Sequence, residues 1–273
     1  MDSFSEKYSE GNIEGCINQL VTEIKENPDQ HFKRMLFGQM LCIAGEYERA
    51  DKQLDLLSTL EPKYVMEVAN WRNLIRAAQH RKDFYEEGRP PEVIGELMPR
   101  MEKHIEAIAA LRADDENGFA AALEEAEAAR SEVSGTWNSD EKTFDDFRDL
   151  DDLNGGFMEV LAPNGKYYWI ANESISSIVF EDTKLPIDYL WRKADLVLTD
   201  GTQGEVYIPV TYIDVKTDEQ RLARETHWEE YKSTEAMRGQ GQKTYLVGDE
   251  AVPILEINSI EFKNTTNLNN KDS

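Results

Sequence analysis

The stretch Gly239-Gln240-Gly241-Gln242-Lys243-Thr244 has the glycines, lysine and threonine of a phosphate-cradling loop, but not their spacing. Such a loop needs glycine directly before the lysine and another five positions earlier, and this chain has Gln242 and Met237 there. Residues 149–155, DLDDLNG, suggest a calcium loop in the same incomplete way. Counting from Asp149, the fifth position is Leu153 and the twelfth is Val160, so an oxygen ligand and the closing carboxylate are both missing. His31, His80, His104 and His227 are scattered, without the His-x3-His or HExxH spacing that zinc chemistry uses. Serines lack a GxSxG setting, and the many carboxylates have no partner pattern that would select an acid–base pair. Trp191-Arg192 is either a recognition pair or, with Trp169, part of a β-domain core. The expectation is a chain without enzymatic activity, cofactor or metal.

The elements around these residues change character along the chain. Residues 157–161 and 166–170 flank Pro163-Asn164-Gly165 and read as a β-hairpin with an Asn-Gly turn. Further strands are expected at 175–181, 194–199, 204–208, 244–247 and 254–262. A hairpin turn is expected at 200–204, and a helical or irregular excursion near 218–238. Short strands at this spacing predict a small bent sheet or partial barrel.

The first third repeats itself. Residues 10–30 lie over residues 44–64 without a gap, an offset of 34, which is the tetratricopeptide period. Gly11 falls on Gly45, Cys16 on Ala50, Leu20 on Leu54 and Pro28 on Pro62. Gly45 suits a left-handed helix end, and Ala50, Leu54 and Leu57 form one face of a second helix. Gly38 permits close helix approach, and Pro62 closes the unit. Arg34 departs from the pattern, and the first unit's opening helix is short and polar. A helix follows over 64–81. Pro90-Pro91 is expected to open another, with Val93, Ile94, Leu97, Met101, Ile105, Ile108 and Leu111 as its stripe, and an alanine-rich helix covers 119–133. The fold class expected is therefore α+β. Its parts are a tetratricopeptide-like helical domain (1–133), an acidic connector (134–152), a β-rich domain (153–263) and a polar tail (264–273).

The net charge of −24 is spread over both halves, −14 in residues 1–150 and −10 beyond. Such a surface repels nucleic-acid phosphates and anionic lipid, and suits either solubility or a partner with a basic or amphipathic segment. Cys16 and Cys42, without a CxxC, read as small core residues in a reducing compartment. No apolar run is long enough to span a bilayer, and the start carries no export signal, so the expected location is the cytoplasm.

Seven blocks then bring a family to mind in order: FGQMLCIAGEYERADKQLDLL (37–57), YYWI (167–170), DYLWRKADL (188–196), DGTQGEV (200–206), IPVTY (208–212), THW (226–228) and GQKTYLVGDE (241–250). Together they resemble the ImpE family, also called TagJ, of type VI secretion accessory proteins, over about residues 11–262. Lys193 departs from the proline expected before Ala194. The resemblance implies a cytoplasmic, non-catalytic adaptor. Its implied partners are the N-terminal helix of the small sheath subunit and the unfoldase ATPase that recycles contracted sheath. A general scaffold or chaperone-like adaptor for another client is the alternative, and an enzyme housed in the C-terminal half a more distant one. From repeat geometry, the concave face of the second unit would present Phe32, Met35, Gln39, Cys42 and Ile43 to a bound helix. Phe32 and Ile43 would otherwise pack against neighbouring helix pairs.

Overall fold

The computed structural model describes residues 3–138 and 142–263. The 264–273 stretch, expected to be a polar tail, lies outside them. The architecture is α+β, with an N-terminal helical region followed by a β-rich one.

Helices α1 (Ser3–Ser9), α2 (Ile13–Glu26), α3 (His31–Ile43), α4 (Tyr47–Leu60) and α5 (Val65–Glu87) pack in succession, each on the next. The repeat is literal: α2 and α4 lie 34 residues apart at both ends. Gly11 and Gly45 precede them in the same left-handed backbone, φ 73° and 77°, which a side chain with a Cβ resists. Cys16 and Leu20 of α2, and Ala50 and Leu54 of α4, are all buried at equivalent positions. Gly38 does what its size suggests: a Cβ placed there would sit 3.4 Å from Leu54 Cδ2.

Past α5 the sequence reading needs a correction. The helix expected to open at Pro90-Pro91 begins at Pro99 instead, as α6 (Pro99–Arg112), which pairs with α7 (Glu116–Ala128). Residues Glu92–Ile94 form strand β1, parallel to 168–170. Two prolines favour extended backbone ahead of β-branched Val93 and Ile94, and Gly95 at φ 85° turns the chain away. Pro99 then takes the first helical position, where its missing N–H loses nothing.

The remaining strands are β2 (Gly135–Trp137), β3 (Lys142–Phe144), β4 (Phe147–Asp149), β5 (Phe157–Leu161), β6 (Tyr167–Ala171), β7 (Ile175–Phe180), β8 (Trp191–Leu198), β9 (Gln203–Pro209), β10 (Thr226–Glu230), β11 (Met237–Gly241), β12 (Thr244–Val247), β13 (Glu250–Pro253) and β14 (Ser259–Phe262). Among the described residues the large sheet runs β1-β6-β5-β9-β8-β7-β14-β2-β3, antiparallel except for β1. A smaller sheet is ordered β13-β12-β4, and β10 pairs with β11. The β5–β6 hairpin turns at Asn164-Gly165 as expected, with Gly165 at φ 85°. Residues 134–152, expected as a connector packing in places, contribute β2, β3 and β4 to both sheets. Trp137, Phe144 and Phe147, the apolar residues of that acidic stretch, are buried.

The helices and the β-region share a core. Phe84 of α5 meets Trp169 of β6 edge-on at 5.2 Å, and Trp169 stacks on Phe157 at 3.7 Å. The excursion near 218–238 holds a short helix, α8 (Asp218–Arg221), and the β10–β11 hairpin. Asp218 Oδ2 accepts from Ile13 N at 3.2 Å, and Arg224 donates to Tyr8 and Ser9 carbonyls. The β-region thus holds the first helices at the chain's start. Both cysteines are free and buried.

Candidate peptide-binding groove

Of the five residues expected on the concave face of α3, Phe32 is 62% exposed, while Met35, Gln39, Cys42 and Ile43 are buried. A segment the repeat pattern could not announce packs on α3. A 3-10 turn, Pro186–Tyr189, lies across α3, and Ile187 N donates to Gln39 Oε1 at 3.3 Å. Trp191, opening β8, packs on Tyr47 with ring centroids 6.1 Å apart. The chain thus lays its own 186–189 turn on α3.

Beside that cover a groove of about 520 Å³ remains between α5 and residues 181–193. Trp71, Leu74, Leu185, Ile187 and Trp191 supply its apolar lining; Glu67, Glu181, Asp182 and Asp188 place carboxylates on it. Asp188 is occupied locally, accepting from the Lys184 and Leu185 amides at 2.8 Å. Lys193 is held by Glu205 at 2.7 Å and Glu181 at 2.9 Å, contacts that raise its pKa. Glu67 and Asp182 have no salt-bridge partner among the described residues. One residue before Glu67 stands Met66, 82% exposed, beside exposed Val65. Leu60 at the end of α4 and Phe32 at the start of α3 are exposed too, and His31 Nε2 lies 3.0 Å from Glu61 Oε1, joining those two helix ends. The groove opens beside an apolar end of the array.

The residues that first invited chemical readings are structural. Lys243 is 1% exposed, its Nζ 2.8 Å from Asp149 Oδ2 and 3.1 Å from Glu159 Oε2. Glu159 also accepts from Arg81 Nε and Nη2 at 2.8 Å, from Tyr167 Oη at 2.5 Å and from Tyr85 Oη at 3.2 Å. Burial opposes its charge, but Arg81 and Lys243 outweigh burial and hold the carboxyl far below its usual range. Asp151 Oδ1 accepts from Leu153 N and its Oδ2 from Gly239 N, so this stretch pins loops. Sequence reasoning missed the cluster because its members lie 78 and 94 residues apart. The available signal was a glutamate in the otherwise apolar strand FMEVL.

Arg192 is buried as well. It donates to the carbonyls of Ile254 (2.7 Å), Ile257 (2.8 Å) and Glu181 (3.1 Å). Arg192→Met should therefore leave buried acceptors unpaired and lower stability by about 1–3 kcal/mol, readable by denaturant unfolding. A change within error would mean that water replaces the guanidinium.

Residues 141–261 match the ImpE protein model. The chain carries an ImpE domain. A curated relative, the type VI secretion system accessory component TagJ of Pseudomonas aeruginosa, is 23% identical over 259 residues, covering 93% of this chain and 89% of TagJ. A crystal structure of a Vibrio parahaemolyticus protein superposes with a TM-score of 0.90 at 30% identity, covering 95% of this chain and 97% of that one. The ImpE match contains the groove wall at 181–193 and three of the cluster's charges, Asp149, Glu159 and Lys243. Arg81 and the α5 wall come from outside it, so both features need the whole chain. No helix among the described residues is long and apolar enough to cross a membrane.

Proposed function

We propose that this chain is an accessory component of a type VI secretion system, acting in the cytoplasm as a non-catalytic adaptor. It seats the N-terminal amphipathic helix of the small sheath subunit and links the sheath to the unfoldase ATPase that recycles it. The similarity to TagJ along nearly the whole chain supports the system. The observation that carries the partner class is the groove between α5 and residues 181–193, with its apolar lining and unpaired carboxylates. An amphipathic helix needs an apolar trough for one face, and Glu67 and Asp182 suit basic residues on its flank and steer its approach. The walls are aromatic and aliphatic with charges of both signs, Lys184, Arg192 and Lys193 standing among the carboxylates, and they favour holding a helix over transforming a small molecule. Phe32 and Met66 extend the surface at the end of the array, and methionine adapts to an irregular partner. Gln39 meets a partner only if the 186–189 turn moves, and Met35, Cys42 and Ile43 are core residues.

The test is a titration of the sheath subunit's N-terminal peptide against the parent, Trp71→Ala, Met66→Glu and Phe32→Ala, with circular dichroism confirming folding. Trp71→Ala should weaken binding by about 1–2 kcal/mol or more, as for a central aromatic anchor. Affinity should also fall with added salt. Unchanged affinity in folded Trp71→Ala removes the groove from the reading. No binding by the parent removes the partner.

A further inference from the structure

A second cavity, of about 250 Å³, lies between α5, the α3–α4 turn and residues 209–215. Its walls bring three hydrogen-bond donors together. Arg81 spends Nε and Nη2 on Glu159 and the Thr211 carbonyl, and its Nη1 has no partner among the described residues. The Arg221 guanidinium lines the same cavity and likewise has no hydrogen-bond or ion-pair partner there; its Nη1 lies 3.8 Å from where a Gly45 Cβ would stand. The Tyr47 hydroxyl is the third, without an acceptor among the described residues. Burial pushes that hydroxyl up to about 12, and Arg81 and Arg221 are both near enough to oppose part of the rise. The ring of Tyr47, against Trp191, gives the cavity an aromatic wall. Glu86 is the carboxylate among the lining residues, and it lies 3.8 Å from Lys82, which also lines the cavity.

This arrangement runs against the composition. With 54 acidic and 30 basic side chains, carboxylates are in surplus, yet two guanidinium groups and a phenol converge with no protein acceptor between them. None of the three is a buried atom left without a partner, so water reaches each donor and a ligand entering the cavity can replace it. Guanidinium groups match the two oxygens of a carboxylate, and pockets of this kind combine an apolar wall with a few convergent polar groups.

We infer that the cavity is a binding site for a small organic carboxylate, held by Arg221, the free edge of Arg81 and the Tyr47 hydroxyl, with its apolar part against Tyr47 and Trp191. Trp191 also lines the helix groove, but the inference stands on the cavity's own donors, whatever the groove binds.

Benzoate is the probe, titrated calorimetrically into the full chain at millimolar concentration, with acetate and inorganic phosphate in parallel. Benzoate should bind saturably and tighter than acetate. Arg221→Met, which removes a half-buried group with no protein partner and so leaves the fold intact, should weaken benzoate by about tenfold or more. Tyr47→Phe, which keeps the ring, should weaken it less, and the exposed Lys52→Met should leave it unchanged. Absence of saturable benzoate binding by the parent overturns the site. Equal affinity in folded Arg221→Met, checked by thermal melting, also overturns it, and phosphate binding tighter than benzoate overturns the carboxylate class.

Discussion

Replacing Lys243 by methionine is expected to lower stability by about 3–5 kcal/mol, the size seen when one partner of a buried ion pair is removed. The side chain has no room to compensate, because Lys243, Asp149 and Glu159 are each about 1% exposed. Two carboxylates would lose their shared cation. Burial opposes the Lys243 charge, but Asp149 and Glu159 together outweigh it and hold its pKa above that of an ordinary lysine. The pH dependence follows from the two carboxyls, which shift in opposite directions. Burial lifts Asp149 from 3.8 to about 6 despite the pull of Lys243. The native state therefore binds more protons than the unfolded state between those values, and this group's contribution declines as pH rises through that window. Glu159 is lowered, so its contribution is present above the unfolded value of 4.5 and lost on acidification towards its folded pKa. Without the ammonium, Asp149 is pushed higher still. The deficit of Lys243→Met should accordingly be larger at about pH 8 than at about pH 5, where Asp149 can be neutralised by a proton. Urea unfolding of parent and variant at both values reads this directly. A deficit under about 1 kcal/mol at either pH, or one that grows on acidification, contradicts the assignment of Lys243 as the shared counter-ion.

Leu54→Ala should lower stability by about 2–5 kcal/mol through lost transfer energy and a residual cavity. Leu54 is 1% exposed and touches the bare backbone side of Gly38, so α3 would have to close on α4 to fill the space. Neighbouring Met40, Leu41 and Leu57 are themselves fully packed, which resists that closure. The reciprocal change, Gly38→Leu, overfills the same crossing and should lower stability by about 1–3 kcal/mol. Because both act on one contact, the double variant should depart from additivity. Thermal melts of the three variants decide it; parent-like melting in Leu54→Ala would remove the contact from the core.

The parts of this fold readable from sequence are those whose signals are local. Gly11 and Gly45 mark two helix boundaries 34 residues apart because left-handed backbone is a property of the position itself. Asn164-Gly165 specifies its hairpin for a similar reason. Val93 and Ile94 were misread as helical because an apolar pair fits both periods, and their strand exists through pairing with Trp169 and Ile170. The β10–β11 hairpin is equally hidden: THWEE and MRGQG carry little apolar alternation, and β10 is mostly exposed while β11 is mostly buried. For the candidate groove, repeat geometry found α3 as a binding-type face, yet nothing near Gln39 says that Ile187 lies on it. The groove's α5 wall and its 181–193 wall each look ordinary alone. The same holds for Arg81 and Arg221, whose convergence needs the tertiary fold.

The cover laid over α3 has a consequence for synthesis. Gln39 and Ile187 are 148 residues apart, so at bacterial and eukaryotic elongation rates the ribosome needs about 7–30 s to deliver the second after the first. During that interval the nascent array carries Gln39 without the 3-10 turn that packs on α3 in the finished protein. Early termination before residue 185 leaves Gln39 without the Ile187 amide from which it accepts in the finished protein.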